Sequence, residues 1–363
     1  MNPNENFYWT NSTCGNYFFL IAPFGYGPRI AAETLSKKID CTLNKWQKSN
    51  QLPEYVSCKY LFNFGVSDFN IEIVNCVSKI WVDCLMWMRK GLNKIEISYD
   101  YILAENFFGE SINELKNDNI IFIPPLSDFN KNAVMKKTLQ KIVISFGGVE
   151  TPFTTDFHRF FIPFLTLSSA ISIFQKYSIN YELIVCIPSH LIEQFKSKFD
   201  ESINIHFISP SHQEYLKLID NADKLILQPG LYGPFEAFFK EIPTYFVTPF
   251  SYTQLMQAIE FDKNEILSDV PVFDQVKSIA VNFSGNIELE EENCFIELEK
   301  CMTSIGNEQL NYSFNQWMEN IVIDKNIAEL TRKRVDFVKR NITNSNLRLN
   351  EFLIILNNKL DHA

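Results

Sequence analysis

Between residues 226 and 258 the sequence ILQPGLYGPFEAFFKEIPTYFVTPFSYTQLMQA carries glycines, a carboxylate and side-chain amides at spacings suited to a phosphorylated ligand. A strand ending at Gln228 runs into a turn with Gly230, Tyr232 and Gly233, and the turn opens a helix that holds Glu236. Backbone N–H groups at a helix N-terminus carry partial positive charge and have no intrahelical partner, so such a turn binds anions. Gly230 and Gly233 permit close backbone approach. Glu236, read as lying in the first helical turn, stands where a carboxylate accepts hydrogen bonds from a ribose diol. The same residues also read as an ordinary strand–turn–helix in which Glu236 only complements the helix dipole.

Two further turns follow apolar runs. Residues 142–151, IVISFGGVET, place Gly147 and Gly148 directly after a strand. Residues 23–29, PFGYGPR, set Gly25, Tyr26, Gly27 and Arg29 in a loop that allows close approach to a diphosphate, with Arg29 able to pair with a phosphate or carboxylate. Equally, Pro28 starts a helix there and Arg29 is solvated. A phenol such as Tyr26, with an unperturbed pKa of about 10, is a poor general base. Better-placed bases are carboxylates at strand ends: Glu105 after YILA, Asp83 in VDCLMW, and Asp100 as a third. Each of these also reads as a structural or solvated carboxylate. His212, in SPSHQEYL, follows a strand, whereas His158, His190, His206 and His362 have no motif around them. No Asp-x-Asp, Gly-x-Ser-x-Gly or Gly-x-x-x-x-Gly-Lys-Ser/Thr occurs, which excludes metal-diphosphate, hydrolase-elbow and P-loop readings.

The elements that must position these residues form a pattern that occurs twice. In the first half, strand-like runs at 16–22, 60–64, 79–84, 101–104 and 120–123 alternate with segments long enough for crossover helices, the first at 29–39. A Pro-Pro pair at 124–125 and the polar stretch 127–137 read as a linker. The pattern then restarts with strands at 141–145, 181–187, 204–208, 224–227 and 244–247, and helices at 155–177, 193–199, 212–221 and 234–240. Beyond Val270 it weakens into an acidic segment, 288–292, and C-terminal helices. The fold class is α/β: two Rossmann-like, doubly wound domains facing a cleft lined by post-strand turns. The expected divisions are 1–135, 136–325, and 326–363 packing back on the first domain.

Composition narrows the function classes. The 363 residues are 46% hydrophobic and 21% charged, enough apolar material for buried cores. The most apolar stretch, 157–174, is interrupted by His158 and Arg159 and falls short of the ~20 residues of a membrane span; it reads as a buried helix. The net charge of −10 without a basic stripe excludes nucleic acid as a partner, and the one basic cluster, 332–340, reads as the exposed face of a helix. Eight cysteines without a Cys-x-x-Cys pair, and residues 1–10 without a signal-like pattern, point to a cytoplasmic setting with no disulfide frame or zinc site.

The residues Gln228, Gly230, Gly233, Glu236-Ala237, Ile242-Pro243, Pro249, Thr253-Gln254 and Gln257-Ala258 occur in an order that resembles the donor motif of the GT-B glycosyltransferases. The resemblance is to families that move sugars from UDP- or dTDP-linked donors to natural products, lipids or peptidoglycan precursors. It implies that Gly233 and its neighbours hold the pyrophosphate, Glu236 the ribose, Thr253 and Gln254 the donor sugar, and the loop of His212 the base. The 142–151 segment resembles the family's first donor-domain strand and loop, with amides at 146–149 meeting the pyrophosphate. Gln228 stands where the family has a phosphate-binding His, and can still donate to phosphate; Thr253 stands where it has a sugar-binding Asp, and Tyr26 where many members carry a catalytic His. The implied reaction is metal-independent sugar transfer with inversion from a nucleotide-diphosphate sugar, a UDP-sugar foremost, to a small-molecule acceptor. With a nitrogen nucleophile as acceptor, such as a nucleobase, no strong base is needed. The alternatives are a same-fold nucleotide-sugar hydrolase or epimerase, and a non-catalytic nucleotide-sugar binder.

Overall fold

The computed structural model describes the chain except residues 1–6, 14, 23–26, 50–55, 67–73, 89–97, 109–118, 128, 130–139, 148, 150–152, 200–203, 284–286, 325 and 362–363. It divides into two compact units, one of residues 1–128 with 339–363 and one of residues 129–338.

The first unit is built on β1 (Phe7–Asn11), β2 (Tyr17–Ile21), α1 (Gly27–Lys38), β3 (Gln47–Ser49), β4 (Val56–Ser57), β5 (Tyr60–Phe64), β6 (Val74–Asn75), β7 (Ser78–Asp83), β8 (Tyr101–Glu105) and β9 (Ile120–Ile123). Seven strands form one sheet in the order β3-β1-β2-β5-β7-β8-β9. It is parallel from β2 to β9, with β1 antiparallel to β2 and the edge strand β3 antiparallel to β1. The parallel strands YLFNF and YFFLI are near-continuous apolar runs because they are covered on both faces. Phe18, Leu20, Leu61, Trp81 and Ile102 form one cluster beneath them. Short β4 and β6 pair parallel as a ribbon leading into β5 and β7.

The second unit holds β10 (Gln140–Ser145), α2 (Asp156–Lys176), β11 (Tyr181–Cys186), α3 (Ile192–Lys196), β12 (Ile205–Ile208), α4 (His212–Ile219), β13 (Lys224–Leu227), α5 (Tyr232–Phe239), β14 (Thr244–Phe246), α6 (Tyr252–Lys263), α7 (Phe273–Ile279), α8 (Ile287–Ile305), α9 (Asn307–Ile323) and the start of α10 (Ile327–Asp361). Its five strands are all parallel, in the order β12-β11-β10-β13-β14. The winding reverses between β10 and β13, so this sheet is doubly wound, and such reversals open a crevice at the carboxyl ends of the strands.

Helix α2 spans the apolar stretch 157–174 of the sequence, and among the described residues it alone is long and apolar enough to cross a membrane. Half of its apolar window is buried in the second unit, through residues such as Ile162, Leu167, Ala170 and Phe174. Its start is fixed by His158, whose Nε2 donates to the Phe295 carbonyl of α8 at 3.1 Å while Nδ1 lies 2.8 Å from the Thr155 hydroxyl. A carbonyl only accepts, which sets the tautomer, and burial lowers the pKa of this ring.

Helix α10 departs from the expected exposed basic face. Arg332, Lys333, Lys339 and Arg340 are exposed, but Arg334 is fully buried. Its Nε donates to the Ile266 carbonyl at 2.8 Å and Nη1 to the Thr244 carbonyl at 2.7 Å, with the guanidinium 4.7 Å from the Phe238 ring. Burial lowers its pKa to about 9. From Lys339 onward α10 belongs to the first unit, where Asn341 donates to the Phe107 carbonyl at 2.6 Å and Phe352 packs edge-on to Tyr101.

Candidate functional site

The reversal point of the second sheet gathers the residues that carry chemistry. The loop after β10 begins at Ser145, Phe146 and Gly147, and the turn after β13 runs through Gln228 and Gly230 into α5. Gln228 and Tyr232 are buried there. Neither Gly230 nor Gly233 has a positive φ. A methyl added at Gly230 would meet nothing nearer than 3.8 Å, and one at Gly233 would point inward to Leu227 and the Tyr215 hydroxyl at 3.4 and 3.5 Å. A Cβ at either position therefore makes only ordinary van der Waals contacts, with less crowding at Gly230 than at Gly233. Of the amides after β10, that of Phe146 donates to the Cys186 carbonyl of β11 at 2.9 Å, which continues the ladder, and that of Val149 donates to the Phe146 carbonyl within the turn at 3.3 Å. Gly148 lies outside the described residues.

Glu236 is the fifth residue of α5 and lies beyond its first turn, which holds no acidic residue. A role confined to complementing the helix dipole does not fit this position. The side chain is 1% exposed, and its Oε1 accepts from His212 Nε2 at 2.7 Å. His212 opens α4, whose N-terminus is fixed by a capping box between Ser211 and Glu214. At the other end of the same helix pair, Lys240 and Asp220 form a buried ion pair at 2.5 Å. Helices α4 and α5 are thus clamped at both ends, which holds Glu236 in one place. Tyr215 of α4 adds a hydroxyl hydrogen-bonded to Ser145. Burial and the nearby Glu236 carboxylate raise its pKa well above the usual value, so it stays a neutral donor.

The next helix end is organised by a residue that the sequence pattern did not single out. Glu291, from the acidic segment that opens α8, places Oε2 3.2 Å from the Thr253 amide at the start of α6, and also meets the Ser251 hydroxyl and Tyr252 amide. Burial outweighs these bonds and raises its pKa to about 7. The Thr253 hydroxyl lies 3.2 Å from that of Ser251. Gln254 is buried, and its Oε1 accepts from the Phe250 amide at 3.3 Å. Both side chains named by the resemblance as sugar contacts therefore take part in the capping of α6. Periodicity could not reveal Glu291, because its partners lie some forty residues earlier in the chain; an acidic run next to a helix start was the one available signal.

In the first unit the expected bases bind backbone. Asp83 is buried, its Oδ1 accepting from the Leu85 amide at 2.7 Å and its Oδ2 lying 3.4 Å from Trp81 Nε1. Glu105, 1% exposed, accepts from the Leu126 amide at 2.6 Å. Asp100 accepts from the Lys79 amide at 2.8 Å. Arg29 is exposed on α1 and pairs with Glu33 at 2.9 Å. Gly27 begins α1, whereas Gly25 and Tyr26 lie outside the described residues. Among the described residues no group of three or more His, Cys, Asp or Glu side chains is placed to hold a metal ion.

No family model and no curated protein matches the chain. Among solved structures it is similar to the glycotransferase of kitacinnamycin, at 11% identity and a TM-score of 0.46, over 82% of this chain and 76% of that one. It is similar to the spinosyn rhamnosyltransferase SpnG, solved with thymidine diphosphate, at 11% identity and a TM-score of 0.43, over 86% of this chain and 77% of that one. A third similar structure is UGT89C1 of Arabidopsis thaliana with UDP-L-rhamnose, at 13% identity and a TM-score of 0.38, over 85% of this chain and 77% of that one.

Proposed function

We propose that the chain is a GT-B glycosyltransferase that moves a sugar from a nucleoside-diphosphate donor, a UDP-sugar foremost, to a small-molecule nucleophile. The observation that carries this reading is the buried Glu236, fixed by His212 directly after the turn at which the second sheet reverses. A carboxylate held there accepts hydrogen bonds from a ribose diol. The amides at the start of α5, next to Gly230, take the diphosphate; they stabilise the charge that builds on the leaving group as the glycosidic bond breaks. His212 acts on Glu236 as a positioning residue. Thr253 and Gln254 lie at the start of the neighbouring helix for the sugar. The acceptor nucleophile attacks the anomeric carbon from the opposite side, with inversion.

One observation favours a second reading, a non-catalytic nucleotide-sugar binder. Asp83 and Glu105, the strand-end carboxylates expected as bases, are both hydrogen-bonded to backbone amides. Incubation with a panel of UDP- and dTDP-sugars, with and without small nitrogen and oxygen nucleophiles, separates the two by nucleotide release. Release that depends on an acceptor supports the transferase. Tight nucleotide binding without release under any acceptor supports the binder, and absence of binding defeats both.

A further inference from the structure

The first unit brings two cysteines together that the sequence keeps apart. β4 and β6 pair through Val56 with Val74 and Ser57 with Asn75, and the same offset resumes in β5 and β7 at Tyr60 with Ser78. Backbone bonds keep this register in between: the Cys58 amide donates to the Asn75 carbonyl at 3.1 Å, and the Val77 and Ser78 amides donate to the Lys59 carbonyl at 2.9 and 3.1 Å. Cys58 and Cys76 therefore stand opposite one another, with side chains on the same face. Their thiols share a hydrogen bond. Both are half-buried and pack on the cluster of Phe18, Leu61 and Trp81. Neighbouring strands lie about 4.8 Å apart, within the Cα separation of about 4.4–6.8 Å that a disulfide spans.

From this juxtaposition we infer that Cys58 and Cys76 are an intrachain disulfide site, closed by exchange with a small-molecule disulfide. The two sulfurs differ. The hydrogen bond from Cys58 lowers the pKa of Cys76, as does the Lys79 ammonium, against burial and the Asp100 carboxylate. Cys58 is raised by the same hydrogen bond and by burial. Cys76 is the attacking thiolate. It displaces one glutathione thiolate from oxidised glutathione and forms a mixed disulfide. Cys58 then gives up its proton and attacks the Cys76 sulfur, and the second glutathione thiolate leaves. Each departing thiolate takes up one proton. Two protein thiols lose two electrons and two protons, and one oxidised glutathione becomes two glutathiones. The closed form joins the segments that enter β5 and β7.

The test uses the full chain, reduced with dithiothreitol, freed of reductant and incubated with oxidised glutathione. Trypsin cleaves after Lys48, Lys59 and Lys79, so peptides 49–59 and 60–79 each hold one of the two cysteines. The expected result is loss of two hydrogens at this pair, loss of iodoacetamide labelling at both positions, and a disulfide-linked pair of these two peptides. Cys58→Ser should stop at the mixed disulfide on Cys76. Wild-type chain that retains glutathione on either cysteine without closing overturns the proposal. So does chain that leaves both thiols open to alkylation, or that links either to a different cysteine.

Discussion

Asp83 and Glu105 of the first unit turn from the ends of β7 and β8 onto backbone amides, those of Leu85 and Leu126. In the second unit Glu236 leaves a helix and meets the ring of His212, which belongs to a different helix. All three carboxylates are buried. A carboxylate satisfied by a loop amide fixes that loop, and its removal is felt as lost stability. On the proposed function, a carboxylate oriented by a side chain on a separately clamped helix forms part of a preorganised polar site, and its removal is expected to be felt in binding. Burial alone does not separate the two cases; the identity of the partner does.

The largest expected effect comes from the first unit. Glu105→Ala leaves the buried Leu126 amide without that acceptor and opens a cavity, at a cost of about 3 kcal/mol in unfolding free energy measured by urea titration. Nucleotide affinity of the folded protein should stay unchanged. A loss of affinity with little loss of stability would move Glu105 into the binding machinery and erase the contrast.

Next is Gly230→Ala. A Cβ there makes only ordinary contacts, so the melting temperature should barely move, while crowding of a diphosphate over the turn costs about 2 kcal/mol, or about thirtyfold in UDP affinity. Equal affinity in this variant would mean that no ligand approaches the turn.

A smaller effect tests the end of α6. The Glu291 pKa is raised to about 7 in the folded chain, above the ordinary value of 4.5. The folded state thus holds a proton that the unfolded chain releases. The resulting stabilisation is complete below pH 4.5 and is lost progressively as pH rises to about 7. Melting followed from pH 4.5 to 8 should show this slope in the wild type and a flatter one in Glu291→Gln; identical slopes would contradict the buried carboxyl. The smallest effect is that of Arg29→Ala, which breaks an exposed pair one helical turn long and should change stability by less than about 0.5 kcal/mol. UDP affinity should be unaltered, and a clear loss would bring Arg29 back as a phosphate ligand.

Strand identity was legible wherever an apolar run is buried on both faces. The stretches 60–64 and 224–227 coincide with β5 and β13, and 120–123 marks the edge strand β9 by its apolar run although only Ile123 is buried there. The short strands β3, β4 and β6 were not, because tertiary pairing sets them, with no apolar run to mark them; β1, the aromatic run FYWTN, was not read as a strand either. The turn before α5 was legible from Gly230 and Gly233. The partners of Glu236 and Thr253 were not: His212 lies on another helix and Glu291 on another still, and local spacing carries no record of contacts made by tertiary packing. Arg334 shows the converse failure, since a basic residue among exposed neighbours reads as solvated until the aromatic faces of Phe238 and Phe246 close around it.

In the proposed function, Glu236 binds the ribose of a nucleoside diphosphate. Isothermal titration of UDP into wild type and into Glu236→Gln, with Asp83→Asn as the first-unit control, tests it most directly. Binding by the wild type and by Asp83→Asn with similar affinity, together with a loss of about 2 kcal/mol, or about thirtyfold, in Glu236→Gln, is the predicted result. Unchanged affinity in a folded Glu236→Gln variant would contradict it.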